Sequence, residues 1–121
     1  MNANNISHAE LVTALAKPGA EIAANMTPLE AHLLHMAVGI AGEAGELLDA
    51  IKKAVIYKKP LDIDNVIEEL GDLEFYMEGL RQGTTISREL VLAQNIAKLS
   101  KRYSSGSYSD KQAAARADKT E

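Results

Sequence analysis

Glu43 and Glu46 stand three residues apart in "AGEAGEL", and Glu69 and Asp72 repeat that spacing in "EELGDL". Residues three apart on a helix are neighbours, with Cβ atoms about 5 to 6 Å apart, so the members of each pair point the same way. One such pair usually marks a solvated face, because Glu is a good helix former. These two pairs are instead set among Ala, Leu, Ile and Phe, and two such helices side by side would gather four carboxylates. At an effective dielectric near 20, each like-charged pair at about 4 Å costs roughly 4 kcal/mol. A cation must offset that cost. Lys52 and Lys53 lie at least six residues beyond Glu46, outside the reach of one helical turn. Oxygen-only donor sets without Cys or His suit hard divalent ions, Mg²⁺ or Mn²⁺, which take one or two carboxylates plus waters and substrate phosphates.

A second polar set answers the first. In "AQNIAKLSKRY", Asn95, Lys98 and Arg102 put an amide, an ammonium and a guanidinium along one line of a helix, while Lys101 falls off it. Arg and Lys recognise phosphate oxygens, so a polyphosphate bridged to the carboxylates by Mg²⁺ would satisfy both sets. His35 comes eight residues before Glu43, two turns back on a similar face, and reads as a core or substrate-pocket histidine rather than a metal ligand.

The elements that must position these groups are helical. The chain of 121 residues is rich in Ala, Leu, Ile and Val, with one Phe and no Trp, which favours helix over strand and one all-α domain. Four segments emerge. Ser7 with Glu10 forms a capping box before a short helix that stops at Pro18-Gly19. Thr27, Pro28 and Glu30 start a second that runs unbroken to about Tyr57, ahead of Pro60. The third begins at Asp62 or Asp64 and meets its C-terminal cap at Gly83. The fourth runs from about Ser87 to Tyr103, and residues 104–121 read as a mobile polar tail with one helical turn through the alanines. The second helix is apolar around nearly its whole circumference between Leu33 and Ile51, which predicts a second subunit around it. Gly39, Gly42 and Gly45 would let another backbone or a ligand approach.

Composition removes other classes. A net charge of −4 and a pI near 5.4 argue against a nucleic-acid polymer as partner. The absence of Cys excludes disulfides, thiolate zinc sites and a cysteine nucleophile. No opening apolar run suggests secretion or membrane insertion, so a soluble cytoplasmic protein is expected.

The stretches "GEAGEL", "AIKK", "EELGDLEFY", "NIAKLSKRY" and "SSGSYSDKQAAARAD" together resemble the MazG-like branch of the all-α nucleoside triphosphate pyrophosphohydrolases, over roughly residues 29 to 118. The resemblance implies a four-helix MazG-like fold over residues 1–103, assembled as a dimer or a dimer of dimers, with the 104–121 tail closing over substrate. It implies Mg²⁺ on Glu43, Glu46, Glu69 and Asp72, and cleavage of a (d)NTP to the monophosphate and pyrophosphate. Water activated by the metal would attack the α-phosphorus, with Glu43 or Glu46 taking its proton. Asn95, Lys98 and Arg102 would hold the outer phosphates, and Tyr76, one turn past Asp72, would touch a phosphate or belong to the core. Gly42 stands where many relatives have a further glutamate, which places the chain with shorter forms, including the dCTP pyrophosphatases and phage-borne relatives. Tyr108 stands where Phe is commoner, and the base-contacting aromatics of the dCTP enzymes are not apparent, so base preference is open. Two alternatives stay beside this reading: a phosphoribosyl-ATP pyrophosphohydrolase on the same fold, and a non-catalytic helical protein whose acidic patch binds a basic partner.

Overall fold

A computed structural model describes residues 5–119, and among them every regular element is helical. In chain order these are α1 His8–Leu15, α2 Gly19–Asn25, α3 Pro28–Val55, α4 Ile63–Thr84, α5 Arg88–Arg102 and α6 Asp110–Ala115, followed by a 3-10 turn at Ala117–Lys119. The chain divides into two units, Met1–Ala31 and His32–Glu121.

The first unit holds α1 and α2. Ser7 caps α1, its hydroxyl accepting the Glu10 N–H at 3.2 Å. Pro18, predicted as a stop, is also a start: its φ of −60° suits a helix entry, and its carbonyl accepts the Ile22 N–H at 3.1 Å. This adds a helix that the four-segment expectation lacks. The expected capping box of α3 forms in both directions, Glu30 N–H to the Thr27 hydroxyl at 3.1 Å and Thr27 N–H to the Glu30 carboxylate at 2.9 Å.

In the second unit α3 ends at Val55, and Lys58, left-handed at φ 56°, turns the chain before Pro60 is reached. Asp62, rather than Asp64, caps α4 by accepting the Asn65 N–H at 3.1 Å. The predicted cap at Gly83 moves to Thr85, which takes the left-handed conformation at φ 59°. Gly83 stays inside α4, and α3 passes beside it: a Cβ there would meet the His32 ring at 2.7 Å and Leu33 at 2.9 Å. Ser87 caps α5 as expected, its hydroxyl accepting the Leu90 N–H at 3.1 Å.

Close contacts give the register of α3 on α4. Gly39 faces the Tyr76 ring, Gly79 faces Met36, and Gly83 faces His32 and Leu33, so each step back along α3 matches a step forward along α4. The helices are antiparallel. Continued one and two turns, the same register carries Glu43 and Glu46 toward the stretch of α4 that holds Glu69 and Asp72. A methyl group on Gly39 or Gly79 would overlap the side chain opposite, so glycine is what allows this approach.

Little of the surface thus formed is buried. Only Met36 and Ala50 are buried apolar residues among those described, while Val38 on α3 is 61% exposed, Leu48 68% and Phe75 on α4 67%. Gly42 and Gly45, which extend the row begun by Gly39, have no neighbouring atoms where a Cβ would stand.

The helical turn expected through the alanines of the 104–121 tail is α6, and residues 120–121 of that tail lie outside the described residues. Ser109 caps α6 by accepting the Gln112 N–H at 2.9 Å. The Gln112 amide in turn bonds Ser105 at 3.0 Å and Ser104 at 3.3 Å, tying α6 to the end of α5.

Candidate functional site

The antiparallel register turns two separate sequence pairs into one cluster. Carboxylate oxygens of Glu43, Glu69 and Asp72 all lie within 4.8 Å of one another. Glu46 is exposed and outside that trio, yet its charge still acts on Glu69. Glu69 is held protonated well above the ordinary range, with a pKa of about 7 instead of 4.5. The largest cause is its hydrogen bond with the Glu43 carboxyl, followed by loss of water and by the charges of Glu43, Asp72 and Glu46.

The Oε2 atom of Glu69 is buried and has no hydrogen-bond partner. An orphaned carboxylate oxygen costs free energy unless a cation or a proton faces it. Three oxygen donors of this kind, with no sulfur or nitrogen among them, fit a hard divalent ion. Nearby lysine does not compete: Lys53 is engaged with Asp49 at 3.1 Å, one turn apart on the outer side of α3.

Tyr76 and His35 lie just beyond the cluster along the same seam. The Tyr76 ring fills the space over Gly39 and meets Phe75 edge-on at 5.2 Å between centroids. His35 meets Tyr76 edge-on at 6.0 Å. His32, which sequence reasoning passed over, bonds the Gly79 carbonyl through Nε2 at 2.8 Å and fastens α3 to α4. The signal for it was the pair of glycines, Gly79 and Gly83, that leaves room opposite.

The basic set divides in two. Asn95 and Lys98 line a hollow of about 550 Å³ along α5, and Lys101, which the helical line had left out, lines it with them. Arg102 does not. Its Nε donates to Oδ1 of Asp118 at 2.8 Å and its Nη2 to Oδ2 at 3.3 Å, a bidentate pair whose side chains are only 17% and 5% exposed. Each partner favours the other's charge: Arg102 lowers the pKa of Asp118, and Asp118 raises that of Arg102. Asp118 and Lys119 reach the same hollow from the 3-10 turn. Neither was a candidate from sequence, although Ser109 and Gln112, spaced as a capping box, signalled the helix that carries the chain back.

No helix is long and apolar enough to cross a membrane among the described residues. The family model for the MazG nucleotide pyrophosphohydrolase domain matches residues 32–106, which span α3, α4 and α5 and hold all four acidic residues. No curated protein and no solved structure matches the chain. With the match covering more than half of its length, and with paired carboxylates facing each other across antiparallel helices, the chain belongs to the MazG nucleotide pyrophosphohydrolase domain family.

Proposed function

We propose that this protein is a Mg²⁺-dependent pyrophosphohydrolase that converts a (d)NTP into the monophosphate and pyrophosphate. The observation that carries the reading is the carboxylate trio with the orphaned Glu69 oxygen inside it, in a chain of this family. Glu43, Glu69 and Asp72 would hold the ion, with Glu46 completing the set at its exposed edge; Mn²⁺ would fit the same donors. When bound, a divalent ion supplies positive charge to phosphate oxygens and lowers the pKa of a coordinated water.

The chain's own groups account for the rest of the chemistry. Water forms a bond to the α-phosphorus, the α–β anhydride bond breaks, and pyrophosphate leaves with the electron pair. Glu43 or Glu46 takes the proton of the water. Lys98 neutralises the outer phosphates, Asn95 hydrogen-bonds and orients them, and Tyr76 and His35 bound the substrate's side of the α3–α4 seam. Residues 104–119 take part in closing the site, and Arg102 contributes where that segment meets α5. The protein works in the cytoplasm, where its substrate pool lies.

A second copy of the chain is its partner. The exposed apolar side chains of α3 and α4, and the open row at Gly42 and Gly45, favour burial against another subunit as a dimer or tetramer. The decisive test is product analysis over a panel of (d)NTPs and phosphoribosyl-ATP with Mg²⁺. Monophosphate and pyrophosphate are expected in equal amounts from at least one (d)NTP. Orthophosphate as sole product would overturn attack at the α-phosphorus.

A further inference from the structure

Asp118 is the most enclosed charged side chain among the ion pairs described, and no step of the proposed chemistry uses it. Its partner is Arg102, the residue whose type and position most suit a phosphate. The Arg102 guanidinium gives its Nε and one Nη2 hydrogen to the two oxygens of that carboxylate, so this edge of its planar fork is occupied. The pair also shapes the chain around it. Asp118 lies sixteen residues beyond Arg102, so the bond closes the segment 103–117 into a loop against α5. That closure brings Lys119, the next residue, to the hollow lined by Asn95, Lys98 and Lys101. Beside the Arg102–Asp118 pair, the lining carries the ammonium groups of Lys98 and Lys119 and the Gln94 and Asn95 amides. A lining of ammonium and amide groups suits a ligand that only accepts hydrogen bonds and carries several negative charges.

We propose that Asp118 is a positioning residue of the phosphate site: by holding Arg102 it folds the C-terminal segment onto α5 and delivers Lys119 as a further phosphate-binding residue beside Asn95 and Lys98. Arg102 thereby serves as the anchor of the segment through its Nε and Nη2 groups. The identity of the substrate rests on the nucleotide pyrophosphohydrolase reading, whereas the demand for a polyanion comes from the hollow itself, and the two are tested apart.

The probe is inorganic tripolyphosphate, titrated calorimetrically into the 121-residue chain in buffer containing EDTA. Wild type binds it, and Asp118→Asn and Lys119→Gln each weaken it by about tenfold. Turnover of the best (d)NTP then shows KM raised by about tenfold and kcat held within about twofold in both variants, with partial recovery in Asp118→Glu. Trypsin cleaves Asp118→Asn faster after Lys111 and Arg116, because the loop is released. Lys119→Gln alters no anchor, and its affinity decides the matter should Asp118→Asn fail to fold. Three binding results would overturn the proposal: no binding by wild type, wild-type affinity in Lys119→Gln, or tighter binding in Asp118→Asn, which would make the carboxylate a competitor for Arg102. A fall in kcat with KM unchanged would also overturn it. If no (d)NTP yields monophosphate while wild type binds tripolyphosphate and both variants bind it about tenfold more weakly, the nucleotide reading fails and this one stands.

Discussion

Glu69 concentrates the electrostatics of the acidic cluster in one side chain. Its pKa of about 7 in the metal-free protein, against 4.5, means that the folded chain holds a proton that the unfolded chain has released. The contribution of this group to stability is therefore complete below about 4.5 and is lost as pH rises through about 7. Thermal melts without metal should show Tm falling across that interval, and saturating Mg²⁺ should abolish the fall by taking the proton's place. Mg²⁺ added at pH 6 in weak buffer should release a proton, and at pH 8.5 almost none. Substituting Glu69→Gln removes a charge from the cluster, so Tm of the metal-free protein should rise at pH 8. Mg²⁺ affinity in that variant should fall by more than about tenfold, since even outer-shell changes reach that scale. A variant that melts lower and still binds Mg²⁺ would assign Glu69 a purely structural part.

At the scale of elements, two contacts set what the helices can do. The approach of α3 to α4 depends on Gly39, where a Cβ would enter the Tyr76 ring. Gly39→Ala should cost about 1–3 kcal/mol from overpacking, less the roughly 1 kcal/mol that alanine returns in helix propensity, and chemical denaturation measures the difference. Activity should fall with it, because Glu43 stands one turn further along the same face. The other contact is the cap of α6. Removing the Ser109 hydroxyl by Ser109→Ala should cost about 1 kcal/mol locally. A helix of six residues cannot absorb that loss, so hydrogen exchange should quicken over residues 110–115 while α4 keeps its protection.

For the whole molecule, the decisive quantity is how much apolar surface the chain leaves uncovered. Among the described residues two apolar side chains are buried, and large ones such as Leu48, Ile67 and Ile96 are each more than 60% exposed. A single surface helix is expected to show one polar face, and α3 does not. Gly42→Ala discriminates between the possibilities, since nothing in the chain stands where its Cβ would go. If that face meets solvent, the variant should gain about 1 kcal/mol from helix propensity. If a second copy packs there, it should dissociate at higher protein concentration than wild type, which analytical ultracentrifugation reads; dissociation is the result expected. By itself the sequence determined the helical class, the caps at Ser7, Thr27 and Ser87, and the two carboxylate pairs, because caps and periodic patterns are local properties of a few neighbouring residues. It was also enough to place the family. Only tertiary structure decided that Glu43, Glu69 and Asp72 close into one cluster with Glu46 at its edge, that Gly83 is packing rather than cap, and that Arg102 is held by Asp118. Those outcomes depend on the register between helices and on a partner sixteen residues away, and no spacing within one helix encodes either.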